Sequence, residues 1–501
     1  MNKNIYKKKN LFFLTILSVL FTILFFNDQV AVNGGLVISG EVFYQDNLSP
    51  LKYYFFNSWT LLTQFSALLF KIGLNSKSIS FCLIFLLNLI LFSSCFIIFE
   101  RFIKNTTLSI ILSCLLIFFQ KNLGDTDYPS LIFTIHTFGA FAQALTGLII
   151  ASLLVNNLKL SFSLGFILFC IHPIVGLWVI VILIFFTFFQ KKINNFNSFL
   201  KILLPGLLLT IVSLSIFYYF SVEKLTYDQN LFNIYIEKWD GHRAITGEIH
   251  YEYLIKSLIL LVIIFYLCPK NNENKFFSSV FSSIIISSII IYLLFKIFNL
   301  NNYQILAPII PGRFMITYTF IAWPVALSLI YYRLKDKKYT NYFFYSLIIL
   351  YSSMHYKTFL NVNDKLVSKN DNLVYLKLKS LKNTGNVITS ADASFNVLYI
   401  SKKPLLMSKT LDYLPYHPYL VNKIENIMTE VYGYDFQKPP KNNYPYLSDV
   451  FIKSKFEKRS LNDWVEIKNK FKSNLILTPS DWKLNLKLIY SDDRYNLYSI
   501  I

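Results

Sequence analysis

Apolar residues in this chain come in nearly uninterrupted blocks of about 16–25, and the blocks stop near residue 360. This restricts the fold more than any motif does. About 20 apolar residues, coiled at ~1.5 Å per residue, match the ~30 Å hydrocarbon core of a bilayer. A soluble domain breaks its apolar residues into shorter periods. The reading is an α-helical polytopic membrane protein with about eleven transmembrane helices over 1–359, followed by a small soluble α/β domain over 360–501.

The spans fall at 11–26, 80–99, 106–119, 130–155, 160–171, 173–189, 199–220, 253–268, 276–299, 312–332 and 341–359. The first follows Lys3, Lys7, Lys8 and Lys9 with no clear small-residue cleavage site after it, so it reads as an uncleaved signal anchor. The pair 160–171 and 173–189 is interrupted by His172-Pro173. Twelve helical residues cover only about 18 Å, so this is either two short tilted helices or one broken span.

Positive charge decides between these. With the N-terminus inside and strict alternation, the inner loops hold Arg101 and Lys104; Lys159; Lys191, Lys192 and Lys201; Lys270 and Lys275; and Arg333, Lys335, Lys337 and Lys338. That is the positive-inside pattern at every turn, and it requires the broken pair to count as two spans. The soluble domain is then extracytoplasmic. Of the net charge of +20, +13 falls in 1–360 (27 Lys/Arg against 14 Asp/Glu) and +7 in 361–501 (21 against 14). Lysines flanking the spans explain the excess better than a nucleic-acid surface, because no basic stripe with interleaved aromatics is present. All five cysteines lie in or beside apolar spans, so neither a disulfide framework nor a Cys metal site is implied.

The acids have a side as well. In this topology eleven of the fourteen before residue 360 face outward, grouped in loops 27–79, 120–129 and 221–252. Glu41 and Asp46 lie in the first loop, ahead of a stretch at 57–72 that reads as an amphipathic interfacial helix. Asp125 and Asp127 flank one Thr in the second. Carboxylates two apart in an extended loop can share a divalent cation such as Mg2+ or Mn2+, and they are equally at home in a solvated turn. His136, His172, His242, Arg243 and Arg313 fall at the same outer level. Ionisable side chains near spans are costly enough to mark function, and each also has a structural use as a carbonyl partner or a snorkelling anchor.

At this point the layout resembles the GT-C superfamily of membrane glycosyltransferases. The likeness covers roughly 1–360. It consists of a signal anchor and long acidic first loop with Glu41 and Asp46, the Asp125-Thr126-Asp127-Tyr128 segment, the Pro-broken helix pair in GFILFCIHPIVGLW, and a late Arg313 followed by an apolar run to Pro324. The resemblance implies a polyprenyl-phosphate-linked sugar donor, a glycan, lipid or protein acceptor, and catalysis at the outer face of a bacterial cytoplasmic membrane. It puts a first-loop acid, Glu41 or Asp46, with Asp28 also qualifying, in the place of the catalytic base. Asp125 and Asp127 become metal ligands, and the histidines and arginines become substrate contacts that meet the charge on the departing phosphate. The Trp-Trp-Asp type motif of the oligosaccharyltransferase branch has no match, since Asn462-Asp463-Trp464 and Ser480-Asp481-Trp482 differ from it.

In 384–501, strand-like runs (NVITS, NVLYI, KPLLMS, NLILTP, LKLIY, YNLYSI) alternate with the helix-like YLVNKIENIMTEVYG and SLNDWVEIKNKFK. The LDYLPYHPYL stretch reads as a packed loop, with sugar stacking as the alternative. Rival readings of the whole chain are a polysaccharide polymerase, ligase or flippase, and a non-catalytic membrane protein.

Overall fold

The computed structural model describes residues 8–24, 33–115, 138–189, 196–223, 226–240, 251–268, 272–300, 303, 306, 308–309, 312–366, 373–382, 385–439 and 447–500. It is mostly helical, with one small sheet near the C-terminus.

The membrane part contains α1 (Lys8–Leu24), α2 (Asn33–Ser39), α3 (Pro50–Asn57), α4 (Leu61–Lys71), α5 (Ser76–Ile103), α6 (Thr106–Cys114), α7 (Phe138–Leu154), α8 (Leu158–Ile171), α9 (Pro173–Phe189), α10 (Phe196–Phe220), α11 (Gln229–Ile234), α12 (Tyr251–Leu267), α13 (Asn272–Ile297), α14 (Gly312–Leu334) and α15 (Thr340–Leu366). Among the described residues, Ser76–Ile103, Phe199–Phe220 and Phe277–Ile297 are long and apolar enough to cross a membrane, and seven further apolar helices are shorter. Only 17% of the apolar stretch of α10 is buried inside the protein. Its Leu204, Leu208, Ile211 and Val212 face outward, each more than half exposed. Water would oppose such a face at roughly 25 cal/mol per Å², whereas lipid tails would not.

Asparagines start several of these helices. The side chains of Asn75, Asn105 and Asn157 accept the backbone N–H of Ser78, Leu108 and Leu160, satisfying donors the first turn leaves open. The break at His172 divides α8 from α9. Pro173 occupies the first helical position, where its missing N–H costs nothing. One turn on, Gly176 lies so close to α8 that a Cβ there would stand 2.2 Å from the Phe169 Cα. The two short helices therefore fold back in backbone contact.

The helix ends sort into two groups. Phe102 at the end of α5 packs on Phe277 of α13 and Tyr332 of α14, while Arg333 donates to the last carbonyls of α12, at Tyr266 and Leu267. A cation at a helix C-terminus meets unpaired carbonyls and the negative end of the dipole. These are the ends that the charge pattern assigns to one side. At the opposite end, the turn after α3 and the end of α10 meet the C-terminal domain. Within the segment at 57–72, α4 runs over Leu61–Lys71; it buries Leu62, Ser66 and Phe70 against neighbouring helices and leaves Leu68 exposed on the other face.

The soluble domain comprises α16 (Leu373–Ser380), β1 (Val387–Thr389), α17 (Ser394–Asn396), α18 (Val421–Glu430), α19 (Asp449–Lys458), α20 (Leu461–Phe471), β2 (Leu475–Pro479), β3 (Lys487–Ser491) and β4 (Tyr495–Ser499). The sheet order is β1-β2-β4-β3, with β1 parallel to β2 and the other pairs antiparallel. Ile388, Ile476 and Leu497 of the sheet and Ile424, Met428 and Trp464 of the helices are fully buried in one apolar core. NVLYI corrects a sequence expectation. Despite its β-branched residues it forms α17 and a π-helical turn, Val397–Ser401, because tertiary burial of Val397 and Leu398 outweighs local preference. KPLLMS contributes only a single bridge, Leu405 to Val387.

Candidate functional site

Asn57, the last residue of α3, and Ser58 and Trp59, in the turn before α4, join three parts of the molecule. The Asn57 Oδ1 accepts the Val222 N–H (2.9 Å), just past α10, and its Nδ2 donates to the Tyr419 hydroxyl (2.8 Å) in the C-terminal domain. Ser58 Oγ lies 3.0 Å from His417 Nε2 of that domain. Trp59 Nε1 donates to Ser213 Oγ of α10, which itself donates to Gln64 Oε1 of α4.

The proton count fixes direction in this network. Val222 N–H can only donate, so the Asn57 carbonyl faces it and the Asn57 amide nitrogen must face Tyr419. The Tyr419 oxygen is then an acceptor toward Asn57, leaving its own hydrogen for His417 Nδ1, 3.0 Å away. His417 is therefore assigned, by the network, the tautomer with hydrogen on Nε2, donating to Ser58. A serine beside a histidine that is oriented by a third group has the outline of a nucleophile and base, but an Nε2 that carries its hydrogen does not take one from Ser58. The group instead fastens the domain to the bundle.

The first-loop acids lie in the same seam. Glu41 pairs with Lys402, both partly exposed. Half-buried Asp46 accepts the Leu48 N–H and the Asn386 Nδ2 (3.1 and 3.2 Å to its two oxygens). Three residues after Asp46, buried Ser49 caps α3 and donates to the Leu405 and Leu406 carbonyls. Lys423 of the domain donates to the Asn47 carbonyl, while Lys52 of α3 holds the loop itself by donating to the Tyr44 and Asp46 carbonyls. Burial holds the Lys423 ammonium below the ordinary lysine range, with Asp46 pulling it back up.

The third loop enters the seam from the other side. Asp228 caps α11, and a π-helical turn, Tyr235–Trp239, then delivers fully buried Asp240. Tyr235 OH donates to the Leu411 carbonyl (3.0 Å) and lies 3.4 Å from Asp240 Oδ2, while Trp239 Nε1 donates to the Phe436 carbonyl. π-turns within helices recur at functional sites because they re-aim side chains. Asp240 is thus a buried carboxylate at the domain contact. The sequence placed it only within the acidic loop 221–252.

His172 is buried at the α8–α9 break, three residues from Phe169, whose ring meets Trp59 edge-on at 5.2 Å. Arg313 begins α14, and its side chain lies outside the described residues. Asp125, Asp127, His136, His242 and Arg243 also lie outside them. Among the described residues no group of three or more His, Cys, Asp or Glu is placed to hold a metal ion. The LDYLPYHPYL stretch is a packed loop: Leu411, Tyr413, Leu414 and Tyr419 are buried, and Tyr413 stacks on Tyr54 at 4.9 Å. Burial pushes the Tyr54 and Tyr419 hydroxyls up to about 12; nearby Tyr416 and Asp412 add to the rise at Tyr54, while the Asn57 bond opposes it at Tyr419.

No family model matches the chain, and no curated protein matches it in sequence. Among solved structures it is similar to ArnT from Cupriavidus metallidurans, crystallised bound to undecaprenyl phosphate, at 9% identity and a TM-score of 0.39 over 99% of each chain.

Proposed function

We propose that this protein is a membrane glycosyltransferase of the GT-C type, moving a sugar from a polyprenyl-phosphate carrier to a glycan, lipid or protein acceptor at the outer face of a bacterial cytoplasmic membrane. The observation that carries the reading is convergence. The first acidic loop and the loop holding Asp240 meet the soluble domain at one end of the helical bundle, opposite the end where Arg333 caps α12. A lipid-linked donor needs this layout: an apolar bundle for the prenyl chain and acids at the head-group level.

In this reading Glu41 or Asp46 takes the acceptor proton. Arg313 and Arg243 meet the charge that develops on the departing phosphate. His136, His172 and His242 line the donor side. Asp125 and Asp127 hold Mg2+ or Mn2+, a proposal that rests on their spacing alone.

The experiment is transfer from a radiolabelled polyprenyl-phosphate sugar in membranes, comparing wild type with Glu41→Gln, Asp46→Asn, Asp125→Asn and Asp127→Asn. A base variant is expected to lose about 10²-fold or more in turnover, and chelation should abolish transfer only if the metal proposal holds. Unchanged transfer in all four variants overturns the reading. One observation favours a second role for the first-loop acids: Glu41 and Asp46 each bind a domain residue, Lys402 and Asn386. If Glu41→Gln and Asp46→Asn expose the seam to protease without a kinetic effect, those two acids are structural ties.

A further inference from the structure

We infer that α16 and Phe43 form a basic, apolar rim by which the soluble domain rests on the anionic surface of the bilayer. The eight residues of α16 divide cleanly. Val374, Tyr375 and Leu378 are buried in the domain, while Leu373 and Leu376 are 55% and 53% exposed. Leu373, Leu376 and Lys377 share the outer face at i, i+3 and i+4 spacing. Lys379 and Lys382 are also exposed, and no acid occurs between 373 and 382. Two leucines among three lysines suit the boundary between head groups and acyl chains, where apolar burial and attraction to anionic lipid act together.

Three connections put this face at the membrane-proximal side. First, the six residues 367–372 join α16 to α15, so chain reach keeps its start within about 25 Å of the end of that helix. The outward face of α15, with Ile349, Leu350 and Met354, is apolar. Second, α16 packs on the π-turn Val397–Ser401, which in turn contacts α2 of the bundle. Ser401 donates to the Tyr375 carbonyl of α16. Third, Lys402, the next residue, pairs with Glu41, two residues before Phe43. Phe43 is 70% exposed although Val42 and Tyr44 on either side are buried. The exposed ring and the exposed leucines thus flank one short turn that touches the bundle. Beside α16, the edge strand β3 adds exposed Lys487 and Leu488.

The test uses the full chain reconstituted into bilayers of phosphatidylcholine with or without phosphatidylglycerol. A bimane label is placed at Leu376→Cys, Phe43→Cys or, as a water-facing reference, Val450→Cys, which is 90% exposed; the label signal of the unmodified chain is subtracted. Lipids carrying a spin label near the head group are expected to quench positions 376 and 43 about twofold or more beyond position 450. Lys377→Glu with Lys379→Glu should reduce the quenching at 376 in phosphatidylglycerol bilayers. Quenching at 376 and 43 no greater than at 450 overturns the inference. Equal quenching with and without phosphatidylglycerol overturns the role of the lysines. A label at 376 that responds to protein density and not to spin-labelled lipid identifies the face as a contact with a second copy and also overturns it. None of these readings depends on transferase activity.

Discussion

Asn57 is 7% exposed, and its amide can face only one way. The Val222 N–H on one side and the Tyr419 hydroxyl on the other use its oxygen and nitrogen in turn. Truncation leaves a backbone donor and a tyrosine hydroxyl without this partner, and removes what orients Tyr419 toward His417. Asn57→Ala is therefore expected to destabilise the seam by about 1–3 kcal/mol, the cost of stranding buried polar groups. The check is a thermal unfolding midpoint in detergent together with protease sensitivity near 57–60; an unchanged midpoint and unchanged cleavage would contradict the assignment. None of this was legible in the sequence. Asn57 sits 362 positions from Tyr419, and Glu41 361 from Lys402, so no local pattern links them. The sequence did mark Glu41, Asp46 and Asp240 as acids on one side of the chain. It left out the partners that hold the first two and the burial of the third.

Among elements, the α8–α9 pair shows what local chemistry can decide. Proline at 173 both ends one helix and begins the next, and the lysine pattern alone counted the pair as two. The closeness of the pair depends on Gly176, however, whose missing Cβ admits the Phe169 backbone. A backbone neighbour 2.2 Å from the new atom cannot rotate away. Gly176→Ala should accordingly force the helices apart at a cost of about 1–3 kcal/mol or more, seen as a lowered unfolding midpoint and reduced yield of folded protein in membranes; Gly40→Ala, at a positive φ but in open space, isolates backbone strain from crowding. The π-turn at 397–401 marks the opposite limit, since its residues prefer strands and only their burial beside α16 and α2 explains the outcome. A titration separates the seam from the surface. Tyr54 and Tyr419 are raised to about 12, against an ordinary value of 10. A raised folded pKa means that their contribution to stability is complete below about 10 and is lost as pH climbs toward 12. Absorbance at the tyrosinate band should then show a late-titrating class whose ionisation coincides with release of the soluble domain, followed by limited proteolysis. Ionisation of all tyrosines near pH 10 with the domain still attached would contradict this.

At the scale of the whole molecule, the two ends of the helical bundle differ. Sequence charge assigns the helix ends to alternating sides, and the structure gathers Phe102, Phe277, Tyr332 and Arg333 at one end of the bundle and the acidic loops with the soluble domain at the other. Counting α1 itself, an even number of crossings before the domain would put Lys3–Lys9 and the domain on one side, and an odd number opposes them. The proposed chemistry needs the odd count, because a polyprenyl-phosphate donor used at the outer face meets its base only if the seam is there. Val450, at the exposed start of α19, and Lys337, in the turn between α14 and α15, both have exposed side chains away from the seam and report the two sides. A membrane-impermeant maleimide applied to intact spheroplasts should label Val450→Cys and leave Lys337→Cys unlabelled until the membrane is permeabilised. The native cysteines, buried or half-buried, set the background. The reverse pattern would put the soluble domain in the cytoplasm, and the acids of the first and third loops would go with it, away from any donor presented at the outer leaflet.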